Sequence, residues 1–451
     1  MTLYGTSRLA KRFELSLLGQ GSQVSRPLSE ALDRIGHQVI VLDRVPKLEE
    51  VGAGLQLTPN ASRILGRLGL LEQIDKYAQY WGSLSLRRWR DGRIIGSSPL
   101  MPQVGMKYKA PLYAIHRCDL QRVLLDAVQE AGIPVRLNQK VCQVDPSFSA
   151  RVQLSSGEWI EGDVLVGADG IKSQIRSRMA AASGIRDHSV PTGDAAYRVL
   201  IPREKMKQDP EAMSLLDGNF GVRWMGPGGH IIGYPVKQRK FYNMVLLHPQ
   251  KPSGENTESW TNKGHKSEMI AFYRDWNPLV QKLISYVPEG EINEWTLNSH
   301  LALPRWTENR CALVGDACHP MLPYVAQGAA QALEDAAVLA ITLSLTDDVP
   351  LALRVYESAR KKRAETIQDS AARTRMTLHL PDGPEQEARD LAMGSEGKNP
   401  DLFVDTSWQD YMWKTDVMKD TLDGWDRYVA EVMGDPKHDA EVPDDGISPR
   451  L

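Results

Sequence analysis

The run Cys311-Ala312-Leu313-Val314-Gly315-Asp316 does most to limit what this chain can fold into. Its apolar residues predict a buried strand that delivers a glycine and an acid at its carboxyl end, where α/β sheets hold their ligands. An acid at that point can bind the hydroxyls of a polyol. Downstream, Gln327-Gly328-Ala329 leads into a helix predicted from Ala329 to Leu345. Small residues there let a ligand approach the backbone, and the positive N-terminal end of the helix favours an anion. Asp316, Gly328 and Ala329 are therefore candidate binding residues, although a Gly-Asp turn in isolation would be an ordinary connection.

Other segments supply the surrounding architecture. Gln38-Val39-Ile40-Val41-Leu42-Asp43 is a β-branched run ending in an acid, as expected of the second strand of a dinucleotide-binding βαβ unit, with Asp43 placed to bind a ribose. Asn60 to Leu71 and Arg117 to Ala131 read as amphipathic helices. Val152 to Leu154 and Trp159 to Ile160 flank the hairpin signal Ser155-Ser156-Gly157, and Asp163 to Gly170 is a second buried strand with its turn. From about Val190 to Asn298 alternating segments such as Gly229 to Tyr234 and Phe241 to Leu247 predict an antiparallel sheet. A long helix follows from Leu351 to about Arg375.

The resulting expectation is an α/β fold, with a Rossmann-like cofactor domain interleaved with a mainly antiparallel β-sheet substrate domain, plus C-terminal helices. Its boundaries are 12–189 for the first part of the cofactor domain, 190–298 for the substrate sheet, 299–375 for the return segment and long helices, 376–433 for a C-terminal helical region, and 434–451 for a disordered tail.

Composition removes several function classes. A net charge of -3, with Lys and Arg scattered among Asp and Glu, provides no basic stripe for nucleic acid. The four cysteines, Cys118, Cys142, Cys311 and Cys318, have no C-x-x-C spacing, which fits reduced thiols better than disulfides or a zinc site, so no metal is expected. The longest apolar stretch, near Ala336 to Leu345, is about half of what a membrane helix needs. A cytosolic setting without a membrane anchor is expected.

Taken together, Gly315-Asp316-Ala317-Cys318-His319-Pro320, Met321-Leu322-Pro323, Gln327-Gly328 and Glu334-Asp335-Ala336 resemble the group A flavoprotein monooxygenases, particularly the salicylate-hydroxylase-like branch. Three more segments share the resemblance, which spans roughly Glu14 to Arg373. Asp169-Gly170-Ile171-Lys172-Ser173-Gln174-Ile175-Arg176 matches a motif associated with flavin and nicotinamide binding. Glu50 to Ala61, with Gly52 and Ala53, matches the loop after the first βαβ unit. Ile115-His116-Arg117 is similar to the family's diphosphate-binding arginine, a role suited to a permanent cation.

The resemblance implies FAD as cofactor and NADH or NADPH as co-substrate, with O2 trapped as a flavin C4a-hydroperoxide and one oxygen passed to a phenol or aromatic carboxylate. Related phenol hydroxylases hold the phenolate with an arginine and assist its ionisation with a tyrosine, and Arg198 and Tyr234 are the matching candidates. Family members that perform epoxidation or Baeyer-Villiger oxidation, and a catalytically silent flavin-fold protein, remain alternatives. Monomer and homodimer are both open, since Trp408, Trp413 and Trp425 can pack over the body or form a dimer contact.

One motif departs from the family. The expected G-x-G-x-x-G reads Gly19-Gln20-Gly21-Ser22-Gln23-Val24, followed by Ser25-Arg26-Pro27-Leu28, so a β-branched residue stands where helix and strand should pack closely. A shifted reading frame over this stretch can restore an Ala-Gly-Ile-Ala-Gly-like string and a β-branched first strand. Sequencing the transcript over Glu14 to Glu30 tests that explanation.

Overall fold

The computed structural model describes residues 14–434 apart from 20–25, 28, 30, 32, 34–35, 48–52, 188, 251–261, 291 and 396. Gly52, most of the altered glycine loop and the tail from residue 435 lie outside the described residues. Two large sheets organise the rest.

The first sheet has six strands in the order Thr307–Glu308, Cys311–Leu313, Val164–Ala168, Glu14–Gly19, Gln38–Leu42, Val135–Arg136. All its pairings are parallel except that of the short edge strand Thr307–Glu308. Val164, Leu165, Val166, Cys311, Ala312 and Leu313 are buried, as a sheet covered on both faces requires. The register sets Gly19 beside Ala168 and Gly167 beside Leu313, so these strands end along one rim. Asp43, Asp169 and the Gly315 turn all leave from that rim. Gly315 has φ +62, a left-handed conformation that suits glycine.

The second sheet has eight strands in the order Asn262–Lys263, Asn293–His300, Ser189–Pro202, Phe241–Pro249, Gly229–Val236, Phe220–Gly226, Ser83–Arg88, Ile94–Pro99. Its last two strands come from the first part of the chain, so the expected boundary at 189/190 is corrected: the sheet is not confined to 190–298. Side chains alternate between its faces. Tyr197, Val199, Ile231, Met244 and Leu246 pack beneath the helices Pro210–Asp217, Lys266–Tyr273 and Pro278–Ser285. Ala196, Tyr234, Val236, Val245 and Leu247 face the cofactor half, where they meet Leu322, Tyr324 and Val325.

Helices complete the body. Gly328–Leu345 is long and apolar enough by length and composition to cross a membrane, but it is mostly buried, which makes it a core helix here. It packs against Val349–Leu378, which extends beyond the expected end at Arg375. The helix expected over Asn60 to Leu71 is instead two, Pro59–Arg67 and Leu71–Asp75, separated at Gly69, whose φ is +77. Trp413 is fully buried, edge-on to Tyr108 and Phe403, and so packs over the body.

Candidate active site

Asp316 is exposed by area, yet burial is the largest influence raising its carboxyl pKa, offset by His319, Arg117 and Arg176. Both hold if Asp316 lines the wall of a deep crevice. Arg117 has the same character: it keeps partial exposure while burial lowers its pKa, with Asp316 acting against that. Its position is fixed by the start of the helix Arg117–Glu130, where its backbone N–H donates to the Ala53 carbonyl at 3.1 Å. Ala53 itself is buried.

Asp169 stands one strand away on the rim. Burial raises its pKa against the pull of hydrogen bonds from Ser173 and from the backbone, among them the Gln174 N–H, which donates to Oδ2 at 2.7 Å. Asp43 lies at a separate end, with Oδ1 accepting from the Val45 N–H at 3.1 Å. Its pKa is also raised by burial, against the pull of Arg26. Burial brings Arg26 down to about 10, and its guanidinium donates to the Gln121 carbonyl at 2.6 Å. Gly328 and Ala329 are partly exposed at the start of their helix, and a Cβ on Gly328 would meet only Met321 Cγ at 3.9 Å.

The face of the second sheet that packs against Leu322, Tyr324 and Val325 brings Arg198 and Tyr234 together. Arg198 lies 3.9 Å over the Trp295 ring, and among the described residues no carboxylate pairs with it. Burial first, then the like charge of Arg117, lowers its pKa to about 10, with Tyr234 acting in the opposite direction. Arg198 keeps partial exposure, yet a cation largely withdrawn from water beside a second cation is costly unless an anion joins them. Tyr234 is 1% exposed, edge-on to Trp81 with ring centroids 4.9 Å apart. Burial raises its hydroxyl pKa, so the group is protonated at neutral pH. Gly54 lies against this ring, and its N–H donates to Asn243 Oδ1 at 2.8 Å.

The motif reading of Arg176 needs revision. Ser173 caps the helix Gln174–Ala182, with its Oγ accepting from the Arg176 N–H at 3.0 Å. The Arg176 guanidinium is buried and committed to Asp187, to the Ile171 carbonyl and to the Ala317 carbonyl. It braces the Gly315 turn from beneath. Spacing could not distinguish a partner supplied by a ligand from one supplied by Asp187.

Sequence reading also missed how the turn is held. Asp335 Oδ2 accepts from the Gly315 N–H at 2.8 Å and lies 2.6 Å from His319 Nε2. Cys318 joins these two residues in a buried group with metal-ligand chemistry, but the Asp335 oxygens are engaged by Gly315, His319 and Arg360. Asn60 bridges Gln327 and Glu334, and Gln327 donates to Thr58. The acids were visible as Glu334-Asp335 inside an apolar helix; their partners were not.

This geometry fits FAD. An acid, a cation and open space at a helix start provide the chemistry that a polyol, a diphosphate and a flat ring need. A second acid, Asp43, directly follows the strand Gln38–Leu42, a position from which an acid can bind a ribose. The comparisons agree. The family model described as "FAD binding domain" matches residues 27–371, beginning beyond the altered glycine loop. The FAD-dependent monooxygenase atnJ of Arthrinium sp is 36% identical over 82% of this chain and 87% of its own length. The 3-hydroxybenzoate 6-hydroxylase 1 of Aquipseudomonas alcaligenes is 33% identical over 84% and 92%. A salicylate hydroxylase in its substrate complex superposes with a TM-score of 0.74 at 23% identity, covering 93% of this chain and 98% of its own, a likeness of fold. The chain thus belongs to the FAD-binding-domain family and is an FAD-dependent oxidoreductase of the group A flavoprotein monooxygenases.

Proposed function

We propose that the chain hydroxylates a phenolic or aromatic-carboxylate substrate, consuming O2 and NADH or NADPH. The observation that carries this reading is Arg198, a half-buried arginine stacked on Trp295 and without a carboxylate partner among the described residues. A substrate anion would supply the missing charge. The relative named for 3-hydroxybenzoate supports a ligand of this type, since it pairs a phenol with a carboxylate.

Asp316 would hold the ribityl chain, Arg117 the diphosphate, Asp43 the adenosine ribose, and Gly328 with Ala329 the ring; Ala53, Gly52 and Asp169 would complete the cradle. Bound FAD would take electrons from the nicotinamide and activate O2 for transfer to the substrate ring. Arg198 then favours ionisation of the phenol through its charge, which makes the ring more electron-rich. Tyr234, held protonated by burial, orients the phenolic oxygen and relays its proton. Trp81 and Trp295 flank these two groups with apolar surface that excludes water.

The experiment is substrate-dependent oxidation of NADH and NADPH against salicylate, 3-hydroxybenzoate, 6-hydroxynicotinate, 3-amino-4-hydroxybenzoate and their uncharged phenol counterparts, with labelled O2. Stimulation by an anionic aromatic, with one labelled oxygen found as a ring hydroxyl, is the expected result. A labelled epoxide or ring-expanded product, or no stimulation by any aromatic, contradicts the proposal.

A further inference from the structure

Glu334 and Asp335 of the helix Gly328–Leu345 meet Arg360 and Arg363 of the helix Val349–Leu378 in a cluster of four charged side chains, none more than 10% exposed. Arg360 donates to Glu334 Oε2 at 2.6 Å and to Asp335 Oδ1 at 2.9 Å. Arg363 donates to both Glu334 oxygens, at 2.8 and 2.9 Å. Burial works to raise the pKa of Glu334, but Arg363 and Arg360 outweigh it and hold the carboxylate below its usual range. Two negative and two positive charges therefore balance within the interior.

Each acid also reaches the cofactor crevice. Asp335 holds the Gly315 N–H, next to the ribityl acid Asp316. Glu334 accepts from Asn60 Nδ2 at 2.6 Å, and the same Asn60 nitrogen donates to Gln327 Oε1 at 3.0 Å, one residue before the ring-binding Gly328. Along the helix, Glu334 lies roughly 9 Å from that end. At such a distance a buried charge is weakly screened. The other end of the cluster carries the C-terminal segment: Arg363 donates to the Tyr411 and Met412 carbonyls, at 2.7 and 2.8 Å.

A cluster that served stability alone would gain little from charge, because buried ion pairs are often no more stable than apolar packing. We infer that this quartet sets the electrostatic potential at the flavin ring, with Arg363 as a positioning residue that acts through Glu334. The inference rests on the FAD reading. Reduction adds negative charge to the ring, so the reduced form is favoured by a positive surround and disfavoured by a negative one.

The sign of the charge tests this. Glu334→Gln leaves the quartet with a net positive charge and is expected to raise the flavin midpoint potential. Arg363→Gln leaves it negative and is expected to lower it. Arg363→Lys and the double variant E334Q/R363Q keep neutrality and are expected near the wild-type potential. Where one single glutamine variant does not fold, the other carries the test by the sign of its shift. FAD affinity, followed by quenching of flavin fluorescence, is measured on the same proteins. A wild-type chain that takes up no FAD overturns both readings. With FAD bound to the wild type, unchanged potentials in the single variants, shifts of the same sign, or a double variant displaced as far as a single one overturn the inference alone.

Discussion

Substituting Gly54 with alanine should displace Tyr234, and the geometry sets the size of the effect. A Cβ at Gly54 would lie 2.6 Å from Tyr234 Cε2, 2.9 Å from its hydroxyl and 2.9 Å from Val236 Cγ1. Ordinary contact between carbons needs about 3.5 to 4.0 Å, so the ring must move by roughly 1 Å. Overpacking of this kind costs about 1–3 kcal/mol. Displacement of a reacting group by about 1 Å can cost on the order of a hundredfold in rate. Urea unfolding of Gly54→Ala, Tyr234→Ala and the double variant provides the assay. Tyr234→Ala alone leaves a cavity worth about 3–5 kcal/mol, but it also makes room for the methyl group. The double variant should therefore be more stable than the sum of the singles predicts, by about 1–3 kcal/mol. Additive losses, or a Gly54→Ala protein as stable as the wild type, would refute the close packing of Gly54 on Tyr234.

Arg198→Gln should raise KM for an anionic aromatic by about 10- to 100-fold, the value of a charge-assisted hydrogen bond, without lowering urea stability, because no described carboxylate loses a partner and a desolvated cation beside Arg117 is removed. Steady-state kinetics beside unfolding curves check both parts. Gly328→Ala meets no close neighbour, so the fold should hold while the methyl group intrudes on the proposed ring site; FAD affinity should fall with no loss of melting temperature in the apoprotein. Acid should destabilise the protein through its buried histidines. His379 is brought down to about 4, chiefly by burial, and His230, 2.8 Å away, is also lowered. In the unfolded chain both take up protons near the ordinary value of about 6.5, so stability is full above that pH and is lost as pH falls towards 4, by on the order of 3 kcal/mol for His379. Urea midpoints across this range should show the slope, and His379→Asn should flatten it.

What the sequence revealed follows the range of the interactions concerned. The strands Gln38–Leu42, Val164–Ala168 and Cys311–Leu313 were legible because continuous apolar runs ending in Gly or Asp identify buried parallel strands at their binding rim. Arg117, Asp316, Arg198 and Tyr234 were found as separate motif positions, and only the fold shows Arg117 within electrostatic reach of both Asp316 and Arg198. Ser83–Arg88 and Ile94–Pro99 were not assigned to the second sheet, because strand pairing across domains leaves no local signal. The Glu334, Asp335, Arg360 and Arg363 quartet joins two helices whose packing no spacing within either helix reveals. Arg176 illustrates the converse: a motif position found in sequence proved to be committed to Asp187 and to the backbone of the turn it supports.

FAD binding is the claim on which the rest depends, and the chain as written carries Val24 in place of a glycine at the diphosphate loop. The direct measurement is the visible absorption spectrum of the purified protein, followed by titration of the stripped protein with FAD. Flavin bands on isolation and saturable uptake at one FAD per chain are expected. A colourless protein that takes up no added FAD would contradict that claim.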